Sequence, residues 1–161
     1  LTRHVIFAAT VLALVGIAPV PSASAEPGPV DVSGEINGAP FRIVVPAVWN
    51  GTLVEFVRGL VDKADQPGEV DNRNPTIAPS AAVRDALLAD GYALAGSARK
   101  DNGWSVEEGL DDVVALASYF RENVANPTST TLWGNSGGTI ITLETAERNG
   151  GAFVALNSLA P

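Results

Sequence analysis

Hydrophobic and polar positions alternate with period two early in the chain and give way to helix–strand alternation from residue 79 onward. Val30, Val32 and Ile36 alternate with Asp31, Ser33 and Glu35, which predicts a half-buried strand. Asn37-Gly38 follows, and both residues tolerate positive φ, as a tight hairpin turn requires. A second strand, Phe41 to Val45, stops at Pro46. Asn50-Gly51 marks another turn before a third strand, Thr52 to Val57, so the opening reads as an antiparallel meander. Asp62 to Ala78 is rich in Asp, Asn, Pro and Gly without apolar period and reads as a long loop, a kind that is often functional.

From Pro79 helices and strands alternate. Pro79 suits a first helical turn, Val83, Ala86 and Leu87 share a face, and Gly91 suits the C-terminal cap. Tyr92 to Gly96 reads as a short buried strand. Ser105-Val106-Glu107-Glu108 has capping-box spacing, and Leu110, Val113, Val114, Ala117 and Phe120 form the stripe of the helix that Asn126-Pro127 ends. Ser129 to Trp133 is β-branched-rich and reads as a strand, Thr139 to Arg148 as a helix, and Phe153 to Leu156 as a last strand. Strands separated by helices pair in parallel through crossovers. The expected fold is therefore α/β, a mostly parallel sheet with an antiparallel N-terminal hairpin and helices on both faces.

Composition narrows the class. The 161 residues are 46% hydrophobic and 17% charged, which fits one globular domain. A formal charge of −8 with no Lys/Arg run lacks the footprint of a nucleic-acid binder or of a polybasic membrane binder. With no cysteine, disulfides, thiolate zinc sites and cysteine nucleophiles are excluded. Arg3 and His4, an apolar run from Val5 to Ala18, and Ala23-Ser24-Ala25 describe a secretory signal peptide cleaved between Ala25 and Glu26. The run is shorter than the roughly 20 residues of a bilayer-spanning helix, so no stable membrane anchor is expected after cleavage. Residues 1–25 are then the leader and 26–161 the mature, exported chain. His4 is the one histidine of the sequence, so the mature chain has none.

The chemistry concentrates at Gly134-Asn135-Ser136-Gly137-Gly138, which lies between a predicted strand and a predicted helix. This is G-x-S-x-G in the context a nucleophile elbow needs. A serine at the apex of so sharp a turn is strained, and side chains two residues to either side would collide, hence Gly134 and Gly138. The turn aims the amide of Gly137 at the place where an oxyanion would form, and the helix N-terminus behind it favours negative charge. A plain glycine-rich strand-to-helix turn, or a phosphate cradle, is the other reading, although no Lys follows the glycines as in a P-loop. Glu107, Glu108, Asp111 and Asp112 read as an acidic first helical turn and its solvent face rather than as a metal site. Trp104 reads as a packing aromatic or as the lining of a substrate pocket. No cofactor or metal is implied.

With that motif in place, residues 30–161 resemble the front part of an α/β-hydrolase domain, through the elbow and the following helix and strand. The resemblance implies hydrolysis of an ester or amide through an acyl-enzyme at Ser136, with a small molecule or peptide as substrate. It implies a second oxyanion-hole donor from the turn after the third strand, which here falls on Phe56-Val57-Arg58-Gly59-Leu60. Gly59 fits, Arg58 stands where histidine is usual, and the amide of Leu60 is the implied donor; Arg58 reads equally well as a solvated strand-end charge. In the trypsin-like serine proteases, which share a Gly-Asp-Ser-Gly-Gly, histidine and aspartate precede the serine, whereas here residues 26–135 hold no histidine. In α/β-hydrolases acid and histidine follow the serine, so a truncated domain is expected, with both partners missing from the chain. Loss of a triad histidine costs on the order of 10⁶ in kcat, so this polypeptide alone is expected to be nearly inactive. A non-catalytic binding protein, a decayed gene product, or an enzyme using a carboxylate base such as Asp101 are the alternatives.

Overall fold

The computed structural model describes residues 29–158; the leader reading of residues 1–25 falls outside them. Six strands and three helices follow in the order β1 (Val30–Ile36), β2 (Ala39–Val45), β3 (Thr52–Val57), α1 (Ala81–Ala89), β4 (Ala93–Ser97), α2 (Val106–Asn123), β5 (Ser129–Asn135), α3 (Gly138–Arg148) and β6 (Val154–Ser158). They build one six-stranded sheet in the order β1-β2-β4-β3-β5-β6. β1 and β2 form the expected hairpin, with Ile36 opposite Ala39 across a turn in which Asn37 has φ 52° and Gly38 φ 90°.

The meander reading fails at β3. β2 pairs antiparallel with β4, and β3 lies one strand further in, parallel to both β4 and β5. The reason is burial: β3 (TLVEFV) carries apolar side chains on both faces and, Glu55 included, is buried at every position after Thr52, as a central parallel strand must be. β5 and β6 are parallel, so every pair from β4 to β6 is parallel.

Alternate positions of the strands feed two layers. Leu53, Val57, Ala93, Ala95 and Leu132 face α2 and α3, where Leu110, Val113, Leu116, Ala117, Phe120 and Ile141 pack. Val54 and Leu94 face the other way, with Ile77 of the long loop and with Leu87 and Leu88 of α1. Helices thus cover both faces, as expected. The stripe of α2 includes Leu116, with Val114 only half-buried.

Helix starts differ from expectation. Ser80, not Pro79, precedes α1, and its Oγ accepts from Val83 N. Ser105 makes no side-chain cap; its Oγ donates instead to Asp101 O at 2.8 Å, so the capping box does not form. Within α1 it is Val83, Leu87 and Leu88 that are half-buried, while Ala86 is exposed. Gly91 does close α1, at φ 85°.

Candidate active site

β3 connects through α1 to β4 on one side, while its neighbour β5 connects through α3 to β6 on the other. A crevice therefore opens outside the carboxyl ends of β3 and β5, where open α/β sheets bind ligands. Both turns singled out in the sequence, 58–60 and 134–138, lie at this point.

Ser136 sits between β5 and α3 with φ 50°, exposed at the apex of the turn. So compact a turn leaves no room for side chains at its flanks. A Cβ on Gly134 would lie 2.5 Å from Thr142 Oγ1 and 2.7 Å from Gly138 O, and one on Gly138 would strike the carbonyls of Val57 and Arg58. The glycines at both positions are sterically required.

The turn after β3 packs directly on the elbow. A Cβ on Gly59 would be 3.1 Å from Ser136 Cβ and 3.6 Å from Ser136 Oγ, and one on Gly137 would be 3.4 Å from Leu60 N. Leu60 N thus lies close to Gly137 beside the serine, and neither the Leu60 nor the Gly137 amide has an acceptor among the described residues. The α3 N-terminus adds a favourable end for negative charge.

Arg58 is not a solvated charge. It is buried, and its guanidinium donates to the carbonyls of Asn74 (3.4 Å), Asn72 (3.2 Å) and Ala98 and to Asn102 Oδ1 at 3.0 Å. Burial and the neighbouring Arg99 pull its pKa down to about 10, so it stays cationic at neutral pH. Arg99, just past β4 at φ 61°, is buried too; it donates to Gly59 O, and its own amide donates to Ser97 Oγ at 2.9 Å. Desolvation lowers its pKa while the charge of Asp112 opposes the shift. Neither arginine forms an ion pair among the described residues. Sequence patterning gave no sign of Arg99, because its role depends on an arm that crosses between strand ends.

The acidic residues of α2 divide. Glu107 is exposed and pairs with Arg148 at 3.2 Å, as a solvent face should. Asp112, expected on that face, is buried, and its Oδ2 accepts from Lys100 N at 2.8 Å. Among the described residues no group of His, Cys, Asp and Glu could hold a metal ion. Asp101 is exposed, and its carbonyl accepts from Ser105 Oγ. Trp104 is 72% exposed and lines a small cleft with Leu60, Arg99, Val106, Gly137 and Ile141, so it is no packing aromatic.

The crossover order, the elbow and the turn after β3 define an α/β-hydrolase fold. Solved structures of that shape include a carboxyl esterase from Bacillus coagulans (TM-score 0.53, 15% identity, 83% of this chain and 44% of that one). An epoxide hydrolase from Vigna radiata matches at TM-score 0.52 and 15% identity over 83% of this chain and 39% of that one. A prolyl endopeptidase matches at TM-score 0.54 and 16% identity, over 78% of this chain and 19% of that one. By sequence, the o-phthalyl amidase of Xanthobacter agilis is 27% identical over 114 residues, which is 69% of this chain. The chain spans 22% of the length of that curated relative. No family model matches the sequence.

Proposed function

We propose that this chain is the nucleophile-bearing part of an exported serine hydrolase that cleaves an ester or amide through an acyl-enzyme at Ser136. The observation that carries the reading is the close approach of Leu60 N to Gly137, both amides without an acceptor among the described residues, beside a serine held at φ 50° between strand and helix. In this reading Ser136 Oγ gives its proton to a base and attacks the carbonyl carbon, and the oxygen that becomes negative is received by the two amides. Collapse then breaks the C–O or C–N bond and releases the alcohol or amine, which takes up that proton, from the acyl-enzyme. The relative's name, an amidase, supports an amide among the substrates, and Trp104 stands exposed beside Leu60 and Gly137.

A serine is a poor nucleophile without a base, and residues 26–161 include no histidine. The acid and histidine are therefore supplied from outside this stretch, and residues 26–161 alone are nearly inactive. Export with cleavage between Ala25 and Glu26 belongs to the same proposal, as does the absence of nucleic-acid partners.

A fluorophosphonate probe tests the chemistry. The complete product of the coding sequence is expected to be labelled at Ser136, the Ser136→Ala variant not at all, and residues 26–161 alone at a rate many orders lower. A complete product that carries no label at Ser136 leaves the second reading, a binding protein on the same fold.

A further inference from the structure

We propose that Arg99 is a positioning residue of the oxyanion hole, acting through the Gly59–Leu60 peptide. This inference rests on the serine-hydrolase reading of Ser136 and assigns a part that neither the elbow motif nor the turn after β3 contains.

Leu60 N can receive an oxyanion only if its peptide plane is held in one orientation. The turn after β3 has no regular structure to hold it, since residues 58–80 form no helix or strand. The plane has one other polar handle, the carbonyl of Gly59, and no cis peptide occurs among the described residues. In a trans peptide C=O and N–H point in opposite directions, so fixing the carbonyl fixes the amide. Arg99 Nη2 donates to that carbonyl.

The arm that does this is itself tightly held. Arg99 is buried to within 6% of its surface, its amide is tied to Ser97 Oγ, and φ 61° turns its side chain back across the strand ends. Gly109 of α2 leaves the lane it occupies, for a Cβ there would sit 3.4 Å from Arg99 Cδ. Charge adds to geometry: a buried guanidinium with no ion pair among the described residues sits one peptide behind the place where negative charge develops.

The test compares an ester with its thionoester, in which sulfur replaces the carbonyl oxygen, using the complete product of the coding sequence. An oxyanion hole favours oxygen over sulfur, so the ratio of the two rates measures the hole and not the amount of folded protein. In Arg99→Gln, kcat for the ester is expected to fall by about 10²–10³, the loss typical of removing one donor, with KM little changed. The ester-to-thionoester ratio should fall at least tenfold, and Arg99→Lys should recover part of it. If Arg99→Gln does not fold, Arg99→Lys, which keeps the buried charge without the planar fork, must still lower the ratio. An unchanged ratio in a folded Arg99 variant overturns the positioning role. An unsubstituted protein that turns over neither substrate overturns the hydrolase reading, and the positioning role with it.

Discussion

Arg58 and Arg99 each donate to the carbonyl beside the other: Arg58 to Ala98 O, and Arg99 to Gly59 O. The exchange ties the carboxyl end of β3 to that of β4 with two crossed, buried guanidiniums. Arg58 also gathers Asn72 O, Asn74 O and Asn102 Oδ1, which fastens the long loop to the same knot. Arg58→Met is therefore expected to cost about 3 kcal/mol, because several buried acceptors lose a charged donor together. Amide hydrogen exchange across residues 62–78 should accelerate, while β1 and β2 keep their protection. Uniform acceleration over the whole sheet would contradict a local tie.

Glycines at the elbow and glycines in open turns should respond differently to alanine. At Gly134 the added methyl meets Thr142 Oγ1 and the Gly138 and Thr139 backbone, all under 3 Å. Gly134→Ala should lower stability by about 2–3 kcal/mol, since backbone must move. At Gly150 a Cβ meets nothing within 4 Å, and only φ 49° opposes it, so Gly150→Ala should cost about 1 kcal/mol. Urea unfolding of the two variants gives both numbers.

Glu55 lies at the centre of β3, 1% exposed, with neither carboxylate oxygen bonded among the described residues. Burial drives its pKa well above the usual carboxylate range, opposed by Arg121 and reinforced by Asp112. Below the usual range folded and unfolded chains both carry the proton. As pH rises, the unfolded chain ionises first, so stability falls until the raised folded-state value is passed and then levels off. Glu55→Leu should remove that slope and stabilise the protein at neutral pH by about 1–4 kcal/mol. Melting temperatures of both proteins between pH 4 and 8 check the sign; a parallel dependence would show that Glu55 is not its source.

Trp104, exposed at the cleft beside Leu60 and Gly137, should matter to substrate rather than to folding. Trp104→Ala is expected to change stability by less than about 0.5 kcal/mol. For esters or amides with apolar acyl groups it should raise KM several-fold, with a smaller effect on acetyl substrates. Equal KM changes across an acyl series would place the acyl group elsewhere.

The sequence made legible what depends on local pattern. Alternation at Val30–Ile36, the Asn37-Gly38 turn and the Gly-x-Ser-x-Gly between strand and helix need only neighbouring residues to be recognised, and all three occur where expected. Strand order was not local: β3 follows β2 in the chain, yet β4 lies between them, and only the apolar side chains on both β3 faces hinted at it. Side-chain reach was least legible. Arg58 looked like a strand-end charge and Asp112 like a solvated acid because composition records charge and not the partners that burial brings. Ser105 had the spacing of a capping box, but Asp101 O competed for its hydroxyl.

Ser136 at φ 50° has a consequence for the stability of the fold. A left-handed conformation costs a side-chain-bearing residue about 1 kcal/mol that glycine would not incur. Ser136→Gly removes that cost from the folded state, and Asn37 and Arg99, the other side-chain-bearing residues at positive φ among the described residues, carry it too.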